Sequence, residues 1–97
     1  MGDIRKNLLR LDNASATSST AIIAAPGDGK QIVLVDVLTS AETTFKQTDG
    51  SGAVIAHFPA GSTHLRAGIP CGFNKAVHTT ATANVTVTYY VEDNNAI

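Results

Sequence analysis

The chain contains one cysteine, Cys71, no tryptophan, two tyrosines and three phenylalanines. A lone cysteine excludes an internal disulfide, and with it the small secreted scaffold stapled by bridges. So few aromatics weaken any reading as a carbohydrate module, which stacks sugars on exposed rings. Charge is also scarce: charged residues make up 15% of the chain, against the usual quarter. A net charge of −1 gives no general attraction to nucleic acid or to an anionic membrane, so neither is expected as a partner. No apolar run approaches the ~20 residues a membrane-spanning helix needs. Basic residues near the start are not followed by an apolar stretch, so no signal peptide is expected. Met1-Gly2 opens like a myristoylation signal, but Lys6 stands where Ser or Thr belongs. The sequons at Asn13-Ala14-Ser15 and Asn84-Val85-Thr86 have no meaning without secretion.

What the chain does have is β pattern. Gln31 to Leu38 reads Gln-Ile-Val-Leu-Val-Asp-Val-Leu, its longest apolar run. Alternation places Val33, Val35 and Val37 on one face and Ile32, Leu34 and Leu38 on the other, broken by Asp36. A strand apolar on both faces belongs in the middle of a structure, so Lys30–Thr39 is the expected central strand. Asn84–Glu92 alternates most cleanly, with Val85, Val87, Tyr89 and Val91 against Thr86, Thr88, Tyr90 and Glu92. Further strands are expected over 20–25, 43–48, 53–58, 63–67 and 75–80, with an irregular corner at 68–72 and a turn at 81–84. Pro26-Gly27-Asp28-Gly29 and Pro59-Ala60-Gly61-Ser62 read as turns. Asp49-Gly50-Ser51-Gly52 reads as a hairpin, because Asp-Gly readily turns left-handed.

At 97 residues the chain fits one domain, with a core thin enough that association with other copies would help stabilise it. Seven or eight short antiparallel strands without a long helix predict an all-β fold, a small β-sandwich or jelly roll with an N-terminal arm. The expected division is an arm and linker over 1–19 and a β-sandwich domain over 20–97. In the arm, Ile4, Leu8 and Leu11 recur at roughly helical spacing among Arg5, Lys6 and Arg10. The segment reads either as one or two helical turns or as an extended arm, and either as a frayed terminus or as a docking element. Ile4, Arg5, Lys6, Leu8, Leu9, Arg10 and Leu11 are the candidate partner-binding residues. Asp12–Thr20, all small and mostly polar, reads as a linker or a loosely held edge.

The chemical motifs are weak. His57, His64 and His78 invite a metal reading, and His57 with His64 faintly suggests a cupin motif. That motif wants a close His pair followed by Glu, whereas Glu42 precedes and Glu92 is remote. Strand and turn histidines are the plainer reading. Cys71 in Pro-Cys-Gly would need a base and an orienting group to act as a nucleophile, and a buried or corner thiol is favoured. Pro26-Gly27-Asp28-Gly29-Lys30 lacks the spacing and following helix of a phosphate loop, and Asp49-Gly50-Ser51-Gly52 is too short and too poor in acids for calcium. No catalytic, cofactor or metal residues are assigned.

From Thr20 onward the order of features resembles small virion structural proteins of tailed bacteriophages, of the capsid cement or decoration type. The matching residues are Ala24-Ala25-Pro26-Gly27-Asp28-Gly29-Lys30-Gln31-Ile32-Val33-Leu34, then Thr43-Thr44-Phe45-Lys46 before the Asp49-Gly50-Ser51-Gly52 turn. Pro70-Cys71-Gly72-Phe73-Asn74-Lys75-Ala76-Val77 and the closing Asn84-Val85-Thr86-Val87-Thr88-Tyr89-Tyr90-Val91-Glu92 complete the match. The resemblance does not cover residues 1–19. It implies a homotrimer that binds the major capsid protein and stabilises the head shell by contact alone, with no turnover and no cofactor. It also implies a place on the capsid surface of the virion, after assembly in the bacterial host cytoplasm. The alternative reading is a tail-fibre or host-glycan-binding adhesin module; a third is a cupin-like metalloenzyme.

Overall fold

The computed structural model describes residues 11–80 and 84–93. These residues are all-β. Eight strands run as β1 (Asp12–Ala16), β2 (Thr20–Ile23), β3 (Lys30–Thr39), β4 (Thr43–Gln47), β5 (Val54–Phe58), β6 (Gly61–Phe73), β7 (Val77–Thr79) and β8 (Val85–Asp93). They form two four-stranded antiparallel sheets, one ordered β1-β8-β3-β6 and the other β2-β7-β4-β5. The pairings nest: β1 with β8, β2 with β7, β3 with β6, β4 with β5. Two further pairings, β3 with β8 and β4 with β7, join those ribbons into sheets. Of the consecutive strands, only β4 and β5 are neighbours in one sheet.

The sheets share one core, as in a small β-sandwich. The first sheet contributes Ile32, Leu34 and Val37 from β3, Cys71 from β6, and Val85 and Val87 from β8. The second contributes Ile23, Phe45, Phe58 and Val77. Phe45 and Phe58 meet at 5.2 Å between ring centroids, tilted by 59°, a favoured aromatic geometry. Thr43 and Thr79 lie buried beside them and share a 2.8 Å hydroxyl hydrogen bond, which satisfies groups that would otherwise be costly to bury.

β3 is central, as its two-faced apolarity predicts, but its alternation is not simple. Leu34 pairs with Tyr89 and Asp36 with Thr88, so Val35 is an extra residue against β8. This β-bulge reverses the side-chain phase. Ile32 and Leu34 point inward before it, and Val37 and Thr39 after it, while Leu38 is exposed. The expectation that Val33, Val35 and Val37 share one face is thereby corrected.

Three other expectations differ. Of the two readings of Asp12–Thr20, linker or loosely held edge, Asp12–Ala16 takes the second: it is the edge strand β1, in register with Val85–Tyr89. Its inward residues, Ala14 and Ala16, are only half-buried and too small to show an apolar period, while Ser15 and Asn13 reach Thr86 and Thr88. The sheets therefore begin at Asp12 and not at residue 20. Secondly, the short strand and corner expected over 63–72 are one thirteen-residue strand, β6. Between the pairs Leu34–Ile69 and Asp36–His64 it carries four residues, 65–68, against the single Val35. Gly68 takes φ +78° there, and a Cβ on it would stand 2.7 Å from a Val33 methyl. Pro70 is tolerated because β6 is an edge strand. Thirdly, the hairpin at 49–52 forms, but the left-handed residue is Thr48, with φ 70°. Gly52 is required for space instead: a Cβ there would collide with the Gln47 carbonyl oxygen. The expected turn at 81–84 falls mostly outside the described residues.

Candidate functional site

Of the expected arm residues, Ile4, Arg5, Lys6, Leu8, Leu9 and Arg10 lie outside the described residues. Leu11 is described: it immediately precedes β1 and is 56% exposed. It lines a cleft of about 310 Å³ with Val35, Tyr90 and the β6 segment His64–Gly68. This cleft lies on the outer face of the first sheet. The bulge at Val35 and the matching bulge at 65–68 shape it.

The same face continues as a regular surface. Val33 faces Tyr90 and Pro70 across its neighbours, Asp36 faces Thr88 and His64, and Leu38 faces Thr86 and Ser62. Its polar side chains are paired sideways. Thr88 Oγ1 donates to Asn13 Oδ1 at 2.9 Å, Ser15 and Thr86 hydroxyls meet at 3.2 Å, and Gln31 Nε2 donates to Glu92 Oε1 at 2.9 Å. His64 Nδ1 lies 2.7 Å from Asp36 Oδ1. Both partners are well exposed, so this pair orients the imidazole more than it stabilises the fold.

The outer face of the second sheet is different. Lys46, His78 and Val54 lie in one row, and Thr44 and His57 in the next. Lys46 Nζ donates to the Gly50 carbonyl at 3.0 Å, His78 Nε2 meets Ser19 Oγ at 3.1 Å, and His57 Nδ1 meets Thr44 Oγ1 at 2.7 Å. A second cleft, of about 530 Å³, opens here between Glu42, Thr44, His57, Pro59 and Thr80. Its lining is largely hydroxyl, imidazole and carboxylate, and the Phe58 ring beneath is buried.

The histidines are divided between the sheets: His57 and His78 on one outer face, His64 on the other. No cluster of three or more metal-ligating side chains occurs among the described residues. Cys71 is buried in the core on β6, and burial pushes its thiol up to about 12. The thiolate that nucleophilic attack needs is thus strongly disfavoured.

The glycine-rich segments are engaged in turns. Asn74, in a left-handed conformation at φ 51°, clamps the loop at 27–30. Its Oδ1 accepts from Gly27 N–H at 2.9 Å, its Nδ2 donates to Asp28 Oδ1 at 3.0 Å, and its own N–H donates to the Lys30 carbonyl at 2.7 Å. The Gly27 N–H that an anion would need is already bonded, and a strand follows in place of a helix. At 49–52, Asp49 Oδ1 accepts from both Ser51 N–H and Ser51 Oγ–H, which hold the Asp49 carboxyl below its ordinary value.

Two features escaped the sequence reading. The Asp36–His64 pair depends on a register shifted by the β6 bulge, which spacing alone does not reveal. The bulge of β3 had one visible signal, the interruption of apolar alternation at Val35-Asp36. No family model, curated protein or solved structure matches the chain.

Proposed function

We propose that this chain is a jelly-roll virion structural protein of a tailed bacteriophage, a cement or decoration protein that stabilises the head shell by protein–protein contact. The observation that carries the reading is the nested strand order, β1-β8-β3-β6 over β2-β7-β4-β5. It is the order produced by rolling one long antiparallel ribbon into two sheets, and capsid proteins use that architecture. The architecture is shared with lectins and cupins, so fold alone does not decide function. The surface favours the structural role: charge is sparse, and polar groups on the outer face of the first sheet are paired with one another. The action is binding without turnover. The partners are the major capsid protein and further copies of the chain as a homotrimer, on the capsid surface of a virion assembled in the bacterial cytoplasm. Because β1 belongs to a sheet, the docking arm is confined to residues 1–11, with Ile4, Arg5, Lys6, Leu8, Leu9, Arg10 and Leu11 as its contacts.

Deletion of residues 1–10 tests the arm while keeping all eight strands. The truncated protein should keep its β circular-dichroism spectrum and lose binding to expanded heads; normal decoration by it would refute the arm's role.

The hydroxyl-lined cleft of the second sheet favours a second reading, the tail-fibre or glycan-binding adhesin. Thr44, His57, Thr80 and Glu42 supply polar groups for sugar hydroxyls, although the buried Phe58 offers no open ring for stacking. A glycan array separates the two: a specific hit abolished by His57→Ala would favour the adhesin, and a blank array the structural protein.

A further inference from the structure

We infer that the cleft between Leu11, Val35, Tyr90 and the β6 segment 64–68 binds a small apolar carboxylate, an acid whose chain lies against the apolar walls and whose charged end meets Arg66. The inference goes beyond the cement role and does not depend on it.

An irregular backbone builds this cleft. A regular strand pair presents a continuous pleated surface. Here residues 65–68 of β6 stand against the single Val35 of β3. Bulges bend a strand, re-aim its side chains and are over-represented beside active sites. Gly68 holds the irregularity with φ +78°, and a Cβ on it would stand 2.7 Å from a Val33 methyl, so this backbone requires glycine. The volume of about 310 Å³ lies at the small end of the range for ligand pockets, roughly 300–1,000 Å³.

The lining specifies the chemistry of the ligand. Leu11, Val35, Leu65 and Ala67 supply apolar wall, and Tyr90 adds a ring. Leu65 also packs against the core, which fixes that wall. Arg66 carries the one permanent charge in the lining, and it forms no ion pair with any described residue. His64 is tethered through Nδ1 to Asp36 Oδ1 at 2.7 Å, and Asp36 itself does not line the cleft. No acidic side chain is among the described lining residues, so nothing in the wall competes for the guanidinium.

A guanidinium is matched best by a carboxylate, which accepts two parallel hydrogen bonds from it. At so exposed a position that pair alone is weak, and the apolar wall adds the burial that makes the two together selective. The cleft of the second sheet has the opposite character. Its one full charge is the Glu42 carboxylate, and hydroxyls dominate its lining, so it would repel the same ligand.

The test is titration of the full chain, followed by amide NMR shifts, with four probes: hexanoate, hexanol, hexylammonium and acetate. Hexanoate should shift the amides of Val35, Tyr90 and residues 65–68 saturably. Hexanol and acetate each lack one half of the match and should bind about tenfold more weakly or worse. Hexylammonium should not bind. Arg66→Gln, at an exposed position, should weaken hexanoate about tenfold and leave hexanol unchanged, with circular dichroism confirming its fold. The probe series reads the same preference on the unaltered chain, so the outcome does not hang on the variant. No saturable hexanoate shift at these amides, equal binding of hexanoate and hexanol, binding of hexylammonium, or undiminished hexanoate binding by folded Arg66→Gln would each overturn the inference.

Discussion

The two sheets have the same strand count and divide the core between them, yet they solve different problems. The β1-β8-β3-β6 sheet fills its inner face mainly with aliphatic side chains, Ile32, Leu34, Val37, Val85 and Val87, and leaves Leu38 exposed on an outer face of mostly polar, laterally paired side chains. The β2-β7-β4-β5 sheet packs an aromatic pair and a buried threonine pair inside, and presents lysine, histidine and hydroxyl groups outside. The difference centres on β3. It is flanked on both sides; its inner face serves the domain core, and its outer face sets Val33 and Leu38 beside Gln31 and Asp36.

The comparison can be broken at several points. The largest effect is expected inside the second sheet, where Phe45 is completely buried against Phe58. Phe45→Ala should cost about 3–5 kcal/mol in urea unfolding. A loss under ~1 kcal/mol would show that the aromatic pair does not hold the second sheet to the core.

On the first sheet, Cys71 provides a titration of core integrity. Its thiol is raised from 9.0 to about 12 by burial. Above pH 9 the unfolded chain loses this proton while the folded chain keeps it, so the group's contribution is intact below pH 9 and is lost between pH 9 and 12. Stability should fall by about 1.4 kcal/mol per pH unit across that window from this group, and Cys71→Ala should remove that slope. Below pH 9 the thiol should resist iodoacetamide until the protein unfolds; rapid labelling of the folded protein would contradict its burial.

Thr79→Val removes one partner of the buried hydroxyl pair at nearly constant volume, with an expected loss of about 1–3 kcal/mol. A double-mutant cycle with Thr43→Val should reveal coupling; strict additivity would mean that the pair does not act as a unit. Least affected should be the exposed Asp36–His64 pair. His64→Ala should change stability by less than about 1 kcal/mol in either direction, and a larger loss would place His64 among the structural residues of the first sheet.

The strands with strong apolar signals were legible: β3 matches its expected bounds, β4 and β5 differ from theirs by a residue at one end, and β8 by a residue at each end. What was hidden has physical causes. β1 buries alanines, whose small side chains leave no readable period in a run of Ser, Thr and Asn. β6 looked like a short strand and a corner because Gly68 and Pro70 punctuate it, yet an edge strand accommodates both through a bulge. The inward set of β3 reversed at Val35 because a bulge, unlike a turn, has no firm residue signature. Cross-strand neighbours such as Asp36 and His64 depend on that register and were therefore out of reach. Sheet order also lay beyond the sequence, since tight turns suggest hairpins while most connections here pass from one sheet to the other.

The most direct test of the cement role is co-sedimentation of the purified full chain with expanded phage heads that lack it. The account predicts saturable, stoichiometric binding that raises the temperature at which the shells come apart. Folded protein that stays in the supernatant at every concentration would contradict it.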